Sequence, residues 1–218
     1  MSTTEEALEV ERARSQILAV IAEVERLAGG DVAEPEFFTG LLERALAAME
    51  AVGGLVWLAG EGGRVEPVCH AGVDQAGIAA TPEAQEAHNG LVQALFTAPT
   101  GLIVPPRAQV TNPDGSPLAA NATDLLVLAV PVDKAGARAG LIEVFHQPAP
   151  DDVQRGYLRF LEQLGGVANA YLERRSQSQQ LVALDAQQTA LSQVERFSRA
   201  VHESLDPIAT AFVLANEA

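Results

Sequence analysis

Cysteine occurs once in this 218-residue chain, at Cys69, which excludes an intramolecular disulfide framework and any cysteine-rich zinc site. Cationic residues are scarce too: 14 Lys and Arg stand against 29 Asp and Glu, a formal net charge of -15. A surface for nucleic acid or anionic lipid needs clustered Lys and Arg to neutralise phosphates, so neither partner is expected. No run approaches the roughly 18 apolar residues of a membrane span, and no membrane contact is expected of this segment. The opening "MSTTEEALEVERARSQ" is acidic and lacks the apolar core of a signal peptide. These absences together predict a cytoplasmic protein. What the chain does have is apolar content of 48%, enough for one globular domain with additional helix.

The first segment is patterned in heptads. Val10, Ile17 and Val24 fall seven apart, with Ala13, Val20 and Leu27 three residues on. β-Branched residues at one core position suit a parallel helix pair. The "GGD" at 29–31 ends that helix, and Pro35 suits the first turn of the next, whose Phe38, Leu41, Leu42, Ala45, Leu46 and Met49 make one stripe. "LVWLA" and "RVEPVCH", joined by "EGG", read as a strand hairpin. Thr81 and Pro82 predict the start of a helix to about Thr97, with Ala84, His88, Leu91, Val92 and Leu95 on its inner face. "GLIVP" is a short strand, followed by "PRAQVTNPDGSPLAANAT", a loop of the length typical of lids and binding loops. "LLVLAVPV" and "AGLIEVFH" turn through "DKAGAR" as a second hairpin. From Asp151 the pattern is helical. Leu161, Leu164, Ala168 and Tyr171 keep one register, "RRSQSQQ" interrupts, and Leu184, Leu191, Val194, Val201 and Leu205 keep another, either in one long helix or in two helices with a linker. Asp206-Pro207 reads as a new helix start, so residues 206–218 are expected to open a following domain.

The order of elements, and above all "LLVLAVPV" followed by "AGLIEVFH", resembles a GAF domain. In that family the penultimate strand commonly ends in Val-Pro and a Gly opens the last strand, as Val130-Pro131 and Gly140 do here. The resemblance covers about residues 35–172; similar strand-turn-strand chemistry occurs in PAS and profilin-like modules. It implies an α+β fold: a central antiparallel sheet of about five to six strands, flanked by helices, with long N- and C-terminal helices. The division expected is an N-terminal heptad helix (1–30), a GAF-like domain (31–172), a signalling helix (173–205) and the start of a second domain (206–218), as in the tandem arrangements of bacterial signalling proteins. One sheet face would be covered by the helices at 35–52 and 151–172. The other would hold a pocket roofed by the 82–97 helix and the 105–123 loop, lined by Trp57, His88, Leu91, Val92, Leu95, Val110 and Asn112. Val10, Ile17, Val24, Leu184, Leu191 and Val194 would form a homodimer interface.

Catalytic chemistry finds no residues to carry it. Cys69-His70 resembles the bilin attachment dipeptide of some GAF domains, but it lies in the first hairpin, before the region that holds the family's attachment Cys; Cys69 is expected to pack as a small hydrophobe. The cyclic-nucleotide NKxxFDE signature is absent, and thiol exchange of the kind used by methionine-sulfoxide reductases of this fold needs a second cysteine. His88 faces the roofed side, as a core-edge residue, a ligand contact or a haem ligand. His70, His146 and His202 lie on separate elements without metal-ligand spacing. "NPDGSP" lacks the calcium-loop pattern, and no phosphate-cradling glycine motif or nucleophile elbow appears. The reading is a non-enzymatic sensory module with no resident cofactor, which binds a small ligand of unknown identity and relays through flanking helices in a dimer. The alternative is a ligand-free dimerisation or docking module, such as the cytosolic part of a membrane-anchored, HlyD-like secretion adaptor.

Overall fold

The late hairpin forms the centre of the fold. In the computed structural model, which describes residues 3–60, 62, 64–111 and 117–204, β6 (Leu126–Lys134) and β7 (Ala137–His146) pair antiparallel from Leu126↔His146 to Lys134↔Ala137. They turn through Ala135 and Gly136, both at positive φ (52° and 78°). Two left-handed residues in a two-residue loop match the twist of the flanking strands, which is why a Gly stands at one of them. β7 also pairs with β1 (Gly53–Ala59), β1 with β2 (Val65–Ala71), and β6 with β3 (Leu102–Val104). The strand order is β2-β1-β7-β6-β3, so β7 is the middle strand of five. Gly140 is required where β7 meets β1: a Cβ there would lie 2.4 Å from the Trp57 carbonyl oxygen.

Both sheet faces are covered, so the central strands are apolar without alternation. One face packs on α2 (Glu34–Met49) and on the first part of α5 (Asp151–Ser204). Phe37, Phe38, Leu41 and Leu42 meet Leu161, Leu164 and Tyr171 over Val56, Leu128, Ile142 and Val144. The Tyr171 ring stacks on Phe37 at 3.9 Å between centroids, and its hydroxyl donates to the Val32 carbonyl at 2.8 Å. α1 (Thr3–Gly29) lays Val24 and Ala28 into the same core. The opposite face packs on α4 (Pro82–Phe96), with the single-turn α3 (Val73–Ala76) beside it. α4 begins as its residues predict, with Pro82 in the first turn and the Thr81 hydroxyl accepting from the Ala84 amide at 3.2 Å.

Two features differ from the sequence reading, and one decides between alternatives it left open. The long 105–123 loop contains a second, two-stranded sheet, β4 (Gln109–Thr111) with β5 (Pro117–Ala120), and β5 packs on α4. That loop is fastened by Asn121, 1% exposed, whose amide donates to the carbonyls of Val104, Pro105 and Leu125 while its oxygen accepts from the Thr123 amide and hydroxyl. Second, α5 runs unbroken through "RRSQSQQ", which is the one-long-helix alternative. Arg, Gln and Ser hold a helix adequately, and the stretch contains no Gly or Pro to end it. Third, Val24, expected at a dimer interface, is fully buried in the chain's own core. The chain divides into two compact units, residues 1–173 and 174–218. In the second, residues 174–204 are helical and expose Leu181, Val182, Leu184, Leu191, Val194 and Phe197. Residues 206–218 lie outside the described residues.

Candidate functional site

Side chains of β1 and β7 alternate between the two layers, and Leu141, Glu143 and Phe145 point to the α4 side together with Leu55 and Trp57. That places a carboxylate in the middle of the middle strand. Glu143 is 0% exposed, flanked in register by Leu55 and Ala129, and covered by α4. Trp57, diagonal to it on β1, donates its indole N–H to Glu143 Oε2 at 3.2 Å. His88, from the buried face of α4, brings Nε2 to 3.3 Å from the same oxygen, without the alignment of a hydrogen bond. Neither His88 Nε2 nor the second carboxylate oxygen, Oε1, has a hydrogen-bond partner among the described residues. The rings of Trp57 and Phe145 stand 6.0 and 5.7 Å from the imidazole, and Leu91, Val92 and Leu95 close the layer.

Five of the seven expected pocket residues, Trp57, His88, Leu91, Val92 and Leu95, are thus buried together between sheet and α4. Val110, on β4, is partly buried against the same cluster, and Asn112 lies outside the described residues. Glu143 itself was missed, although it is the one charge within the apolar stretch Leu141–Phe145. Of the expected dimer residues, Ile17, Leu184, Leu191 and Val194 are exposed, and the side chain of Val10 lies outside the described residues.

Cys69 is on the other side of the sheet, half-buried beside the α2 core, while His70 is exposed. Burial pushes its thiol up to about 11, against the lowering contacts from Thr39 and the Val56 backbone, so it stays protonated and poorly nucleophilic at neutral pH. Among the described residues no three His, Cys, Asp or Glu side chains are grouped to hold a metal, and no helix is long and apolar enough to cross a membrane.

A polar path leads from the roof of this layer to α5. The half-buried Arg138 guanidinium donates to the carbonyls of Phe96 and Ala98, at the C-terminal end of α4, at 2.5 and 2.9 Å, and to Asp133 at 2.8 Å. The Asp133 amide in turn donates to Asn169 Oδ1 at 2.8 Å, and the Ala135 amide at the hairpin turn to Glu173 Oε2 at 3.1 Å. Arg138 therefore ties the α4 end to the same turn that α5 holds.

The fold has counterparts among solved structures. The A. Aeolicus nlh2 GAF domain, in an inactive state, superposes with a TM-score of 0.58 at 14% identity, over 75% of this chain and 99% of that one. The fold is that of a GAF domain. The GAF domain of a protein described as a sensor histidine kinase from Pseudomonas syringae pv. tomato aligns at 20% identity and a TM-score of 0.49, over 83% and 99% of the two chains. That of an Acinetobacter phosphoenolpyruvate-protein phosphotransferase aligns at 14% and 0.46, over 77% and 94%. No family model matches the sequence, and no curated protein matches it. Within this GAF fold, the Trp57–Glu143–His88 group occupies the layer between the central sheet and α4.

Proposed function

We propose that this chain is a non-enzymatic sensory module of the cytoplasm. A small molecule binds between the sheet and α4, and its occupancy changes how α5 packs in a homodimer. The observation that carries the reading is the buried Trp57–Glu143–His88 group. Native interiors satisfy nearly all their buried polar atoms, and an exception in an otherwise apolar layer marks a place where a further group belongs. The fold supports the reading, and the Arg138 connection supplies a physical route from α4 to α5. A ligand shifts such an equilibrium only by its differential affinity for the two arrangements, typically about 1–3 kcal/mol.

Native mass spectrometry of the purified chain tests the binding: a retained small molecule, lost in a Glu143→Leu/His88→Leu double variant, is the expected result. A bare chain mass, with no mass gained from a bacterial metabolite extract, would sink it. Size-exclusion chromatography with light scattering tests the dimer. We expect two chains per particle at tens of micromolar and one in Leu184→Glu/Leu191→Glu.

The exposed apolar residues of α5 also favour a second reading, a docking or dimerisation module without a ligand. In that case the light-scattering result stands and the mass-spectrometric one fails.

A further inference from the structure

We propose, resting on the sensory reading above, that the molecule bound beneath α4 is a small organic cation, a primary or secondary ammonium on a compact apolar body. Its N–H groups would complete Glu143 Oε1. A carboxylate offers about four acceptor positions. Here one is met by the Trp57 indole, one oxygen lies beside an unaligned His88 nitrogen, and Oε1 has no partner among the described residues. Held as a carboxylate, Glu143 lacks a donor at Oε1, and a group supplying one would meet a negative charge. Indole can only donate, so Trp57 fixes Glu143 Oε2 as an acceptor and leaves Oε1 as the free end.

The surroundings select in the same direction. Trp57 and Phe145 flank the site with aromatic rings, whose negatively charged faces attract an organic cation. Leu91, Leu95 and Val127 supply an apolar wall, and Ala129, the register neighbour of Glu143 on β6, carries the smallest side chain there. A ligand carboxylate or phosphate would meet a buried like charge in a layer with low screening, which disfavours it. The acidic balance of the whole chain, -15, raises the local concentration of cations further.

Trp57 is the single tryptophan and touches Glu143, so its emission reports the site directly. The full chain is titrated with four probes sharing one apolar body: 2-phenylethylammonium, its N,N,N-trimethyl derivative, 2-phenylethanol and 3-phenylpropionate. The expected order is ammonium first, at least about tenfold tighter than the alcohol or the carboxylate, with the trimethyl derivative weaker because it has no N–H. Glu143→Gln, checked for folding by circular dichroism, should reduce the ammonium preference to less than about threefold. Since the comparison among probes is made on the unaltered chain, it stands even if the variant fails to fold. Binding of the alcohol or carboxylate as tightly as the ammonium overturns the cation assignment and leaves the sensory reading in place. Silence from all four probes also overturns it. The sensory reading falls with it only if the metabolite extract adds no mass either.

Discussion

Arg138→Met separates a connected α4 from one that merely lies on the sheet. The guanidinium makes two bonds to carbonyls at the end of α4 and one to Asp133, and it is 20% exposed. Methionine keeps an apolar stem and removes the polar head, including the guanidinium carbon that lies 6.0 Å over the Phe96 ring. The Asp133 bond contributes little, because that carboxylate is 42% exposed and an open ion pair is worth at most about 1 kcal/mol. The two carbonyl bonds weigh more: each is charge-assisted and sits at a helix C-terminus, and with the guanidinium 20% exposed each contributes about 1–1.5 kcal/mol net, the low end for a charged donor. The expected loss is about 2–3 kcal/mol, which for a chain of this size lowers Tm by roughly 4–12 °C. Arg138→Lys should recover less than half of this, since a point charge on a flexible stem cannot reach three acceptors held in a fork. Asp133→Asn should cost less than about 1 kcal/mol.

Urea unfolding gives these differences, and hydrogen exchange locates them. Protection should fall first in the last turn of α4 and at the Lys134–Ala137 turn, then in α5 around Asn169, because the Asp133 and Ala135 amides connect that turn to Asn169 and Glu173. A stability change under about 0.5 kcal/mol would refute the tie, since surface substitutions without a structural role fall in that range. So would a loss of protection confined to α4, because the path to α5 requires the hairpin to respond.

Asn121→Asp keeps size and shape but turns a carboxylate oxygen toward the three carbonyls that the amide now serves; we expect it to destabilise by about 3 kcal/mol or more, and by more than Asn121→Ala, in the same urea assay. For Cys69 the raised pKa means that the folded chain keeps its proton while the unfolded thiol, at 9.0, releases it. Stability should thus fall as pH rises from 9 toward about 11, a slope that Cys69→Ala flattens, and iodoacetamide at pH 8 should label the unfolded chain faster than the folded one. Glu143→Gln retains an acceptor for the Trp57 indole and removes a buried charge, so its unfolding midpoint should match or exceed that of the unaltered chain, as binding residues often cost stability; a loss above about 2 kcal/mol would make Glu143 a structural residue instead.

The main sheet was legible because four of its strands run seven to ten residues and its hairpins turn at Gly. The short β4–β5 pair was not. It reaches only three or four residues per strand and pairs with itself, leaving no periodicity, and the "NPDG" stretch between the strands reads equally as a loose loop. Asn121, which holds that segment in place, is of a type that normally indicates a turn. The heptads of α1 left the partner of Val24 open for a related reason. Val20, Val24 and Leu27 fit a seam with a second chain, but the same spacing serves a helix lying on its own neighbour, and Gly40 on α2 receives Leu27 closely enough that a Cβ there would stand 2.7 Å from it. Spacing says which face is buried, not whose surface buries it.

The candidate site was legible in its apolar members and hidden in its charge. Trp57, His88, Leu91, Val92 and Leu95 share faces that periodicity identifies, so the layer they form could be read without coordinates. Glu143 lies in "GLIEVFH", where a charged residue in a strand ordinarily faces water. What reverses that reading is long-range: β1 and β6, separated by about 70 residues in sequence, close on either side of β7, and α4 then covers the face. No local pattern encodes the order of strands in a sheet. The group that decides the chemistry of the site is therefore the one whose identity argued most strongly against burial. Its placement beneath α4 with an unmatched oxygen is what separates this site from an ordinary apolar core.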